Sequence, residues 1–116
     1  MLTPLEHAEQ VAVVAWFREN YPETLIYAIP NGGARSAITG AALKAEGVVA
    51  GMPDLHIPAW RVWLEMKRRK NGRVSPAQAA IHTHLRGIGD AVIIALGAAE
   101  AMRLLRKAAP PQPKQP

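Results

Sequence analysis

The sequence predicts an α/β domain built on a central, mixed four-stranded sheet flanked by helices. Three observations carry that prediction. Two helix starts of one form, Thr3-Pro4-Leu5-Glu6 and Ser75-Pro76-Ala77-Gln78, each place a hydroxyl cap, a proline in the first turn and a Glu or Gln able to reach back to the cap. Two apolar runs, Val62-Trp63-Leu64 and Ala91-Val92-Ile93-Ile94-Ala95-Leu96, have the composition of strands. Only Pro58-Ala59-Trp60-Arg61 separates the extended stretches 54–57 and 62–67, which forces an antiparallel hairpin, whereas a helix before the final strand makes a crossover.

The first helix runs from the Thr3 cap to about residue 19, and Tyr21-Pro22 ends it. Residues 24–29, branched and aromatic, predict a strand stopped by Pro30-Asn31-Gly32-Gly33. Residues 34–46 favour a helix with Gly47 as its stop, although Thr39-Gly40 weakens the middle. The hairpin follows, then a helix from Ser75 to about residue 86 with Gly87 and Gly89 behind it. Residues 91–96 form a continuous apolar run, expected for a strand buried on both faces. Residues 98–107 close the fold with a helix. Residues 1–107 therefore constitute one domain, and 108–116, dense in proline, a disordered tail.

The 14 Lys and Arg against 9 Asp and Glu give a net charge of +5, which favours a polyanionic partner. Cysteine is absent, excluding disulfides and thiolate metal sites and leaving oxygen ligands and four histidines. No apolar run is long enough for a membrane span, and the opening residues lack a signal-peptide pattern. A cytoplasmic protein is expected, in a bacterium or a phage-infected host cell.

The chemistry concentrates in Gly51-Met52-Pro53-Asp54-Leu55 and Glu65-Met66-Lys67. Side chains alternate along a strand, so Val62, Leu64 and Met66 turn to the core while Trp63, Glu65 and Lys67 share the other face. A hairpin symmetric about Ala59-Trp60 sets Ile57 opposite Val62 and Asp54 opposite Glu65. Two carboxylates facing each other across a ladder repel, and a cation between them removes the penalty. Hard ions such as Mg²⁺ take oxygen ligands and keep water and substrate phosphate oxygens in their shell. Lys67 would then stand beside an attacking water, able to hold developing negative charge or move its proton. The plainer alternative makes Glu65 and Lys67 solvent-facing residues of an edge strand. The loop Lys67-Arg68-Arg69-Lys70-Asn71-Gly72-Arg73 leaves the same strand and is placed to track a DNA backbone.

Five blocks in order, Asn31-Gly32-Gly33-Ala34-Arg35, Leu43-Lys44-Ala45-Glu46-Gly47-Val48, Gly51-Met52-Pro53-Asp54-Leu55, Glu65-Met66-Lys67 and Ser75-Pro76-Ala77-Gln78, resemble the VRR-NUC family of the PD-(D/E)xK nucleases, in its small stand-alone phage-type form. The resemblance implies a restriction-endonuclease-like core and metal-dependent hydrolysis of DNA with Mg²⁺, for which Mn²⁺ would substitute. It implies Asp54 and Glu65 as metal ligands, the Met66 backbone carbonyl as a further one, Lys67 as the catalytic lysine, Gln78 as an ordering residue and Glu9 as an acid completing the metal site. Branched substrates such as four-way (Holliday) junctions or flaps fit the family, with a homodimer for a symmetric cut. No small-molecule cofactor is implied. The rival from another class is a non-catalytic DNA-binding module or a subunit of a larger DNA-processing assembly.

Alternatives stand at the secondary positions. Gln78 lies three residues after Ser75 and could only close a capping box. Arg35 and Lys44 contact phosphates or simply face solvent, and Arg68, Arg69, Lys70 and Arg73 bind DNA or solubilise. His82 and His84, two apart on a helix, point to different faces, which argues against a paired metal site. His56 shares the Asp54 face and either lines the cleft or is structural. Trp60 and Trp63 stack on a base or pack against a helix.

Overall fold

The computed structural model describes residues 4–30 and 37–111. Its elements are α1 (Pro4–Asn20), β1 (Tyr27–Ala28), α2 (Ala37–Ala45), β2 (Leu55–Ile57), a 3-10 turn (Pro58–Trp60), β3 (Val62–Lys67), α3 (Pro76–Gly87), β4 (Ala91–Leu96) and α4 (Ala98–Ala108). The sheet order is β1-β2-β3-β4. β1 and β2 are antiparallel, as are β2 and β3, while β3 and β4 run parallel through the α3 crossover. The sheet is thus mixed and four-stranded, as its hairpin and crossover predict. Among the described residues no helix is long and apolar enough to cross a membrane.

The predicted hairpin register is the observed one: Ile57 pairs with Val62, His56 with Trp63 and Leu55 with Leu64. Its connection is not a bare loop, because Pro58–Trp60 coil into a 3-10 turn and Arg61 takes a left-handed conformation at φ 56°. Trp60 does not project from the tip. It packs on Phe17 and Tyr21 at ring separations of 5.1 and 4.9 Å, which ties the hairpin to the end of α1.

One core lies between the sheet and the α1/α4 pair. Val13 and Phe17, four apart on α1, are fully buried against Leu55, Ile57, Val62 and Leu64, with Ala101 and Leu105 entering from α4. A smaller core of Trp63, Leu85 and Val92, flanked by Ile81 and Met52, lies under α3 on the opposite face. Helices on both sides of β3 bury every residue from Val62 to Met66, so the face carrying Trp63 and Glu65 is not solvent-facing. The edge-strand alternative fails for that reason.

One strand expectation needs correction and a second holds only for the middle of the strand. β1 is two residues long rather than six, because only Tyr27 and Ala28 find partners on the short β2, with one further bond from Ile29 N–H to the Asp54 carbonyl. β4 packs on both faces in its middle, Ala95 in the core toward α1 and α4 and Val92 in the core under α3, but it is an edge strand with Ala91 and Leu96 exposed at its ends, and β3 is the strand enclosed on all sides. The apolar run reports helices above and below β4, not neighbours on both edges. α2 ends as its sequence predicts. Gly47, at φ 103°, donates to the Lys44 carbonyl, and Val48 N–H to that of Leu43.

Candidate active site

α3 begins where the carboxylates end. Ser75 caps it, accepting from Gln78 N–H at 3.2 Å, while Gln78 Oε1 accepts from Ser75 N–H at 2.9 Å. The same Oε1 accepts from Lys67 Nζ at 2.7 Å. Gln78 therefore closes the capping box that the sequence allows, and the same oxygen links the cap of α3 to the last residue of β3. Gly51 brings the other motif to the same place. Its φ of 89° suits glycine, and a Cβ there would stand 2.5 Å from the Ala77 carbonyl oxygen, so the Gly51-Met52-Pro53-Asp54 turn can lie on the first turn of α3.

Asp54 is one residue beyond the paired part of β2, and its carboxylate replaces the missing strand partner: Met66 N–H donates to Oδ2 at 2.7 Å. The N–H and C=O of one strand residue point to the same edge, so the Met66 carbonyl also faces the Asp54 side. Asp54 and Glu65, 9% and 2% exposed, hydrogen-bond to each other. Burial, then that bond and the Asp54 charge, push the Glu65 carboxyl up to about 9, with Lys67 pulling the other way. Two buried carboxyls set against each other are a costly arrangement as a pair of anions and a suitable one around a cation. The donors are all oxygen, the set a hard divalent ion takes. The residues present therefore fit Mg²⁺ or Mn²⁺.

Sequence reasoning missed His82. It is 2% exposed, with Nε2 3.3 Å from Glu65 Oε1, and burial followed by the Arg86 and Lys67 charges holds its pKa low. Its separation from His84, which is exposed, is as expected. The signal that could have found it is its spacing from Gln78: four residues on a helix is one face. Next to Glu65 on β3, Trp63 fills the slot under α3 and stacks on His56 at 3.7 Å, while its Nε1–H donates to Asp90 at 2.9 Å. His56 is held in turn by Tyr27 Oη at 2.7 Å. The Trp63 ring is packed, not presented to a base.

The predicted basic and acidic residues divide. Glu9 lies on the inward stripe of α1, one turn before Val13, and bonds to Arg69. Arg69 also crosses Gly97 at the start of α4, where a Cβ would meet its Nε at 2.7 Å. Arg68 pairs with Glu6 at 3.4 Å. Lys70 and Arg73 are exposed and make no ion pair among the described residues. Lys44 is exposed in the last turn of α2, and Arg35 lies outside the described residues. Among the described residues no three His, Asp or Glu side chains are placed to hold one metal ion together, and Asp54 and Glu65 are the buried acids that stand against each other.

No protein-family description and no curated protein matches the chain. A solved structure does: a VRR_NUC domain protein, similar with a TM-score of 0.75 at 23% identity, over 93% of this chain and 90% of that one. The chain shares the fold of that domain.

Proposed function

We propose that the chain is a VRR-NUC-family nuclease that hydrolyses DNA phosphodiester bonds with Mg²⁺, Mn²⁺ substituting. The observation that carries this reading is the Asp54–Glu65 pair, two buried carboxyls set against each other, with Lys67 one strand period beyond Glu65 on the same strand. Asp54, Glu65 and the Met66 carbonyl would hold the cation, and Glu9 would join them on leaving Arg69. When bound, the cation supplies positive charge to the scissile phosphate and acidifies the attacking water. The chain's own groups do the rest. Gln78 Oε1 fixes one N–H of Lys67 and leaves two ammonium donors for the water and a phosphate oxygen. The ammonium offsets charge that develops on the transferring phosphoryl group. Lys70 and Arg73, with Lys44 and Arg35, would hold the DNA backbone, joined by Arg68 and Arg69 where their acids release them.

Branched DNA, a four-way junction or a flap, is the proposed substrate, because the basic loop carries charge without a base-reading element. A symmetric junction cut would need a homodimer with one centre on each strand. Cleavage of synthetic junction, flap, nicked and single-stranded DNA with Mg²⁺, by wild type and by Lys67→Ala, tests the reading. Magnesium-dependent cutting of at least one substrate, abolished in the variant, is expected. A protein that binds DNA and cuts none of them would be a non-catalytic module instead.

A further inference from the structure

We infer that His82 is a positioning residue for Glu65: its ring Nε2–H fixes Oε1 and leaves Oε2 to meet the cation. The inference rests on the metal-dependent reading above. α3 lies antiparallel along β3 with matched spacing, because two residues of strand advance about 6.6 Å and four residues of helix about 6 Å. Lys67 therefore meets Gln78, and Glu65, two residues back, meets His82, four residues on. Trp63, a further two back, packs with Leu85.

The plainer reading makes His82 a core residue that happens to touch an acid. Its neighbours in this row argue otherwise. Leu85 serves the packing under α3 with an apolar side chain, whereas His82 brings a polar ring into a position as buried as Glu65 itself. A carboxylate that bonds to Asp54 and must also ligate a cation has two oxygens to divide, and a donor on Oε1 settles which one turns outward. Such outer hydrogen bonds commonly change metal affinity by about 10- to 100-fold.

The test is calorimetric titration of Mn²⁺ into the DNA-free protein, as wild type, His82→Leu and His82→Gln, with circular dichroism to confirm folding. His82→Leu should bind Mn²⁺ about 10- to 100-fold more weakly. Glutamine, which carries an N–H donor near the Nε2 position, should restore most of that affinity. In the Mg²⁺-loaded wild type, ring nitrogen shifts in the NMR spectrum should report the Nε2-protonated tautomer. This last measurement decides the matter if the leucine variant does not fold. Equal Mn²⁺ affinity in His82→Leu and wild type, or the Nδ1-protonated tautomer, overturns the role of His82 alone. A wild type that binds no Mn²⁺ overturns the metal reading and this inference with it.

Discussion

Glu65→Gln should make the metal-free protein more stable at neutral and alkaline pH while abolishing cleavage. The folded protein holds the Glu65 proton up to about pH 9, whereas the unfolded chain releases it near the ordinary value of 4.5. Between those values the folded state binds more protons than the unfolded state, so stability is fully present below about 4.5 and is lost as pH rises toward 9. The slope from one such group is about 1.4 kcal/mol per pH unit, on the order of 4 kcal/mol between pH 5 and pH 8. For a domain of this size that corresponds to a fall in Tm of roughly 10 °C or more. Glutamine keeps the shape and cannot ionise, so the difference in Tm between variant and wild type should widen steadily with pH. Mg²⁺ should narrow it by replacing the Glu65 proton in the wild type, worth about 2.7 kcal/mol at a hundredfold excess over Kd. Thermal melts from pH 5 to pH 9, in EDTA and in Mg²⁺, measure all of this. A variant whose Tm tracks that of the wild type across the range would refute the argument from the Glu65 proton.

Lys67→Ala should lower cleavage at least about 100-fold with little change in Tm, since its ammonium acts on the reaction and its removal leaves Gln78 still capping Ser75. Undiminished cutting of a junction substrate would remove it from the mechanism. Gly51→Ala should cost about 1–3 kcal/mol in urea unfolding, because a Cβ at φ 89° would strike the Ala77 carbonyl. The loop arginines and lysines should separate by assay. Lys70→Ala with Arg73→Ala should weaken DNA binding and flatten its salt dependence, by about 0.9 in a log–log plot for each phosphate no longer neutralised. Arg69→Ala should instead lower stability by about 1–3 kcal/mol by leaving the buried Glu9 carboxylate without its partner. If Arg69→Ala alters only the salt slope, its link to Glu9 is not structural.

The local geometry that carries the chemistry was legible in the chain before any fold was known. Hairpin register followed from the short interval between Ile57 and Val62, and it brought Asp54 level with Glu65. The Ser75 cap, the Gly47 stop and the two-residue spacing of Glu65 and Lys67 could be read for the same reason: each depends on backbone groups a few residues apart. What sits over them came from tertiary packing. An apolar run announces burial but not its direction, so only the fold put β3 in the middle and β4 at the edge. Only the packing of α3 along β3 set His82 on Glu65, and only the approach of α1 and α4 drew Arg69 to Glu9 and across Gly97. Such contacts join residues 17 or 60 positions apart. They are fixed by which apolar faces bury one another, a condition that involves the whole chain and leaves no short-range pattern to read.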